Sequence, residues 1–254
     1  KPGEWRKHWE ALFTSIEGTI PSDWTVIVLA DRGLYARWLY VAIKKNGWHP
    51  FLRVNHTYGT FRKEGSSQFL PLKTALPTKG GYWSGKVTCF KSNQLDCTLL
   101  ACWDEPHSDP WLILTDLAPN QADVFWYSLR PWIECGFKQV KRAGWQWNNT
   151  RMDEPKRAER IWLAMAVATL WVLSIGGEAE DNLPPSSFDT LPLAHFARTL
   201  SPASACSRAV SCFRRGIVVI LASLIAQRPL PNGYFQPEPW PALDTHRFEL
   251  IDST

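Results

Sequence analysis

WTVIVLADRGLYARWLYVAIKKNGWHPFLRV, residues 24–54, is the stretch whose reading decides the fold. WTVIVLAD is a continuous apolar run of strand length that ends at Asp31. A run with no polar alternation reads as a strand covered on both faces, as in a parallel sheet. From Gly33, LYARWLYVAIKKNG has helical spacing, lysines in its last turn and Asn46-Gly47 as its stop. His49 to Val54 then returns to strand. Upstream, Trp5, Trp9, Leu12, Phe13 and Ile16 recur at intervals of three and four, so residues 4–18 predict an amphipathic helix ended by Gly18. Helix, strand, helix, strand is an α/β crossover. It puts Asp31 at the carboxyl end of a strand, where open sheets hold their ligands.

A second stretch supplies chemistry to go with that carboxylate. In YSLRPWIECGFKQVK, residues 127–141, the side chains of Tyr127, Arg130, Glu134 and Lys141 fall within about 60° of arc at 100° per residue, and Lys138 joins them. Leu129, Ile133, Gly136 and Val140 take the opposite face, with Phe137 beside it, and this is the side expected to pack on a core. A carboxylate framed by cations and a phenol suits a metal-bound phosphate, since the acid holds metal while Arg and Lys hold phosphate oxygens. The plainer reading is an i,i+4 surface pair between Glu134 and Lys138, worth a few tenths of a kcal/mol. Pro131 requires the helix to start near Arg130 or to bend there, and a bend would take Tyr127 out of the stripe.

Between Asn55 and Thr115 the pattern changes to short strands, YWSGKVTCF, LDCTLLACW and WLILT, separated by Gly, Pro, Ser and Asp clusters. These predict an inserted β subdomain packed beside the α/β sheet. Trp83 and Trp103 there are expected to fill its core, with base stacking as the alternative. After the polar stripe, Asp153 is the expected N-cap of a helix with Pro155 in its first turn and its end at Gly176-Gly177. The uncharged run Ile161 to Ile175 would span about 22 Å as a helix, against roughly 30 Å of hydrocarbon, so a helix buried in protein and no membrane partner is the expectation. Residues 182–202 read as a linker, Arg208 to Ala226 as a last helix, and the proline-rich sequence after Gln227 as irregular.

A 254-residue chain that is 45% hydrophobic and 20% charged is long enough for one large core or two modest ones. Its formal charge of +4 is a mild basic bias, compatible with a polyanionic partner. Six cysteines without a CxxC pair predict reduced thiols and argue against a zinc site.

The spacing Y-x2-R-x3-E-x6-K resembles the YREK signature of DDE transposases of the insertion-sequence-four family. ADRG around Asp31, followed by a helix and a short strand ending in FLRV, is similar to that family's second-acid motif. The likeness covers most of residues 5–177. It implies an α/β, ribonuclease-H-like fold, incomplete at its N-terminal side, with residues 1–55 as the second half of the core. Residues 56–118 would then be the β insertion, 119–180 the glutamate helix and the helix after it, and 181–254 a C-terminal extension. By the resemblance, Asp31 and Glu134 are catalytic metal ligands for magnesium or manganese, two ions in a complete site. Tyr127, Arg130, Lys138 and Lys141 bind DNA phosphates. The family's first aspartate belongs to an upstream strand that is not in this sequence, and Asp116, Asp23 and Asp104 read as strand-end or turn residues rather than substitutes for it. The activity implied is strand cleavage and strand transfer on double-stranded DNA by a protein that dimerises on its substrate in a bacterial cytoplasm. A DNA-binding remnant without catalysis and a nuclease of the same fold are the alternatives.

Overall fold

Residues 27–30 form the first strand of a seven-stranded sheet, and the physical reason is what flanks them. The computed structural model describes residues 5–104, 108–182 and 210–234. The chain divides into two compact units between Pro131 and Trp132.

In the first unit, α1 (Trp5–Ile16) is followed by β1 (Ile27–Ala30), α2 (Arg37–Lys45) and β2 (His49–Arg53). β1 and β2 pair in parallel, with Ala30 opposite Leu52, so the predicted crossover is present. Helix α2 begins at Arg37 instead of directly after Gly33, because the carboxylate of Asp31 holds the intervening residues in a turn. Its Oδ1 accepts from the backbone N–H of Gly33 at 2.9 Å and of Leu34 at 3.2 Å. An aspartate that satisfies the backbone two and three residues on competes directly with helix initiation.

The inserted strands do not pack beside this sheet; they continue it. β3 (Thr60–Lys63), β4 (Leu70–Pro71), β5 (Tyr82–Cys89), β6 (Leu95–Cys102) and β7 (Trp111–Thr115) complete the order β1-β2-β7-β6-β5-β3-β4. All pairings beyond β1 and β2 are antiparallel. The reason is the free side of β2: without β7 its backbone donors and acceptors would lack partners, and β7 brings Leu114 opposite Leu52. The register propagates, with Leu99 of β6 opposite Leu114. Leu52, Leu99 and Leu114 thus share one face, each fully buried, and each contributes roughly 1.5–3 kcal/mol. Phe13, Leu39 and Ile43 from α1 and α2 join this cluster. Phe51, Leu100 and Ile113 point to the other face, where Val124, Trp126 and Tyr127 cover them. Strands β3 and β4 carry no readable periodicity, being four residues with two cations and a two-residue pair. Trp83 and Trp103 are partly buried against this shared cluster rather than in a core of the insert's own; Lys63 Nζ lies 5.1 Å over the Trp83 ring.

In the second unit, α4 (Pro155–Asp181) packs on α5 (Cys212–Ile225). Helix α4 is capped by Glu154 and not by Asp153: the glutamate accepts from the N–H groups of Lys156 and Arg157 at 3.1 and 2.7 Å. Nor does Gly176-Gly177 end it. A Cβ on Gly176 would strike the carbonyl of Cys212, and one on Gly216 the carbonyl of Val172, so these glycines let two backbones approach rather than stop a helix. At 27 residues α4 exceeds the apolar run read from sequence. It is long and apolar enough to cross a membrane, and its apolar window is 22% buried, with Leu163, Val167 and Leu170 more than half exposed. The expectation of a helix buried in protein is therefore not met. Helix α5 begins at Cys212, later than expected, with Ser211 accepting from the N–H of Arg214 at 3.2 Å. Pro231 to Tyr234 are irregular, as their proline content predicts. Of the linker expected at 182–202, residues 183–202 lie outside the described residues, as does the tail after 234.

Candidate functional site

Asp31 stands one residue beyond β1, at the carboxyl end of the parallel pair, where the crossover placed it. One oxygen is committed to the turn. The other, Oδ2, accepts from Arg130 Nη2 at 3.3 Å. This ion pair joins the two motifs, 99 residues apart in sequence, and both partners lie in the first unit. Its side chains are 42% and 27% exposed for Asp31 and Arg130, so the pair itself contributes only about 0–1 kcal/mol and its carboxylate remains reachable.

Around it, Arg32 pairs with Asp109 at 3.2 Å, and His56 Nε2 lies 4.0 Å from the same carboxylate. Sequence reasoning singled out neither Asp109 nor His56, which sit in loops with no periodicity. Arg53 closes β2 on the face shared with Phe51 and Ile113, and its Nη2 donates to the Pro110 carbonyl at 3.5 Å. In the sequence it is marked only as the end of the motif strand FLRV.

Tyr127 does not lie on an α-helical stripe. Val124–Leu129 is a 3-10 helix, and α3 (Arg130–Lys138) starts after it, which is the first of the two outcomes Pro131 allowed. Asp123 begins the 3-10 segment by accepting from Phe125 N–H at 2.8 Å. The change in winding turns Tyr127 into the core, 3% exposed, with its ring edge-on to Trp111 at 5.3 Å. Burial raises its phenol pKa; the nearby Arg130 and Arg53 oppose the rise, and Asp31 adds to it.

Glu134 and Lys138 occupy the middle and end of α3, and Lys141 the π-helical turn that follows, Gln139–Ala143. All three are exposed. Lys141 Nζ lies 5.6 Å over the Phe137 ring. The apolar face opposite them is not buried as expected: Ile133 and Phe137 are each 50% exposed. Elsewhere, Asp116 caps the far end of β7 with His49 Nδ1 at 3.1 Å, and Asp104 accepts from the Tyr82 hydroxyl at 2.9 Å, structural positions for both. Among the described residues no three His, Cys, Asp or Glu side chains are grouped so as to hold a metal ion.

Hard carboxylate oxygens beside guanidinium and ammonium groups are suited to phosphate chemistry. No match was found among curated proteins. The family model described as a transposase DDE domain matches residues 6–171, a span that contains both motifs and the strands between them. Such domains act on DNA and generally use divalent metal ions. This chain belongs to the transposase DDE domain family.

Proposed function

We propose that the chain is the later part of a DDE transposase of the insertion-sequence-four type, built on a ribonuclease-H-like sheet, that cleaves and transfers DNA strands. The observation that carries this reading is the ion pair between Asp31 and Arg130, which brings the second-acid motif to the first cation of Y-x2-R-x3-E-x6-K. Asp31 and Glu134 are the metal ligands of the proposal, and both offer the hard oxygens that magnesium or manganese prefers. Two such ions would supply charge neutralisation for the displacement at phosphorus.

The remaining residues act on the polyanion. Arg130, Lys138 and Lys141 hold phosphate oxygens, and Arg130 does so by exchanging its carboxylate partner for a phosphate. Tyr127 belongs to this group by the resemblance, but its hydroxyl is buried, so in this proposal the phosphate contacts fall to the cations. Two carboxylates are one fewer than a DDE site uses, and the third is assigned to an aspartate upstream of Lys1. Among the described residues β1 is paired on one side only, and Ile27, Val28 and Leu29 are half-buried. That open, apolar edge suits a further parallel strand carrying the acid. The working form on DNA is a dimer in the bacterial cytoplasm.

The test compares the 254-residue chain with a version extended upstream in nicking of transposon-end DNA with magnesium or manganese. The extended protein is expected to cut and the short one not to. In the extended protein Glu134→Gln should abolish cutting while leaving the circular dichroism spectrum unchanged. Undiminished cutting by that variant would overturn the assignment, and metal-dependent cutting by the short chain would show that the acids lie elsewhere.

A further inference from the structure

We propose that the exposed face of α4 is a contact between two copies of this chain, which pair antiparallel through Arg160, Ala164, Val167 and Trp171 without needing DNA. The inference goes beyond the DNA-held dimer above and does not rest on it. These four residues recur at intervals of four, three and four, so they fall within about 60° of arc at 100° per residue. With Leu163 and Ala168 they line one groove on the surface of α4. The groove lies on the side away from α5, because Val172 and Gly176 are the α4 positions that meet α5. Leu163, Val167 and Leu170 are more than half exposed, and an apolar stripe of coiled-coil spacing that is left open marks a contact surface.

Charge and size name the occupant. Paired in parallel, two such stripes would set Arg160 against Arg160. Paired antiparallel, with the two-fold between Ala164 and Val167, Arg160 of each chain meets Trp171 of the partner subunit, a guanidinium over an indole. Ala164 then meets Val167 of the partner subunit, small against larger, in the alternating layers of an antiparallel seam. Both end groups are held in place: the Trp171 indole N–H donates to the Pro231 carbonyl at 3.0 Å, and Arg160 Nε to the Lys156 carbonyl at 3.3 Å. On one flank Leu163 and Leu170 face their own copies, and on the other Ala168 lets the helices approach. The stripe is therefore complementary to its own reverse, which a two-fold contact requires. A lipid surface would take the same apolar residues whatever their order; the match of size and charge along the stripe is what favours a second copy. One helix face is smaller than the about 800 Å² per partner of a stable dimer, so the association is weak.

The test is sedimentation equilibrium of the full 254-residue chain without DNA, from about 1 to 100 μM, the range that suits so small a contact. A monomer–dimer equilibrium is expected. Val167→Asp puts a carboxylate into the seam and should weaken association at least about tenfold, with an unchanged circular dichroism spectrum because Val167 is already exposed. Ala164→Leu should weaken it as well, although it adds apolar surface, since it overfills the layer shared with Val167. Should Val167→Asp not fold, Ala164→Leu decides: weaker association supports the seam, and equal or stronger association refutes it. A chain that stays monomeric throughout the range, or whose association Val167→Asp leaves untouched, overturns the proposal. So does flotation of the wild-type chain with phosphatidylcholine vesicles as monomers, which would give this face to lipid.

Discussion

Replacing Asp31 separates its two jobs, since one oxygen organises a turn and the other faces Arg130. Asp31→Asn keeps a carbonyl oxygen for the N–H groups of Gly33 and Leu34 and loses only the charge. The pair with Arg130 is 3.3 Å long and both side chains are partly solvated, so its loss should cost under about 1 kcal/mol. Asp31→Ala also removes the acceptor for two backbone donors. Water can reach one of them, because Gly33 is exposed, which limits the extra cost to about 1–2 kcal/mol. Stability is best read from the urea dependence of amide exchange at Leu52 and Leu114, both buried in the centre of the sheet, so that the second unit does not contribute. The expected order is wild type, then Asp31→Asn, then Asp31→Ala, with the larger gap between the variants. Equal losses in the two variants would show that the turn contributes nothing. A loss above about 2 kcal/mol in Asp31→Asn would make the carboxylate a structural ion, and its assignment to metal would lose its basis.

Tyr127→Phe removes a hydroxyl without a hydrogen-bond partner from a buried ring, so denaturant unfolding should show stability unchanged or raised by up to about 1 kcal/mol. Gly216→Ala sets a methyl against the Val172 carbonyl and should lower the stability of the two-helix unit by at least 1–3 kcal/mol, roughly the cost of overpacking, seen as faster exchange in α4 and α5. Burial raises the phenol pKa of Tyr35, Tyr40 and Tyr127, and pushes the Cys102 thiol up to about 11. These groups lose protons in the unfolded chain first, so stability should be intact below their unfolded values and fall as pH rises above about 10, by up to about 1.4 kcal/mol per pH unit for each phenol. A urea midpoint that stays flat from pH 9 to 11 would contradict this.

Local signals in the sequence were sufficient for several parts of this protein. The apolar run before Asp31, the lysines and Asn46-Gly47 at the end of α2, and the polar spacing from Arg130 to Lys141 are each encoded within a few residues. Chain order alone therefore gave the parallel pair and the carboxylate at its end. Tertiary structure decided what depends on a partner distant in sequence. Strands β3 to β7 joined the main sheet because β2 had an edge to satisfy, a demand that no periodicity within the insertion reveals. Gly176 looked like a helix stop and proved to be a point of close approach, since its meaning comes from Cys212 on another helix. Tyr127 left the stripe when the segment before Arg130 wound as a 3-10 helix to cover Phe51 and Ile113. Arg53 is legible in the sequence only as the end of the motif strand FLRV; that its Nε is buried on the face shared with Phe51 and Ile113 depends on strand register, because burial is a property of neighbours in space and not of neighbours in the chain.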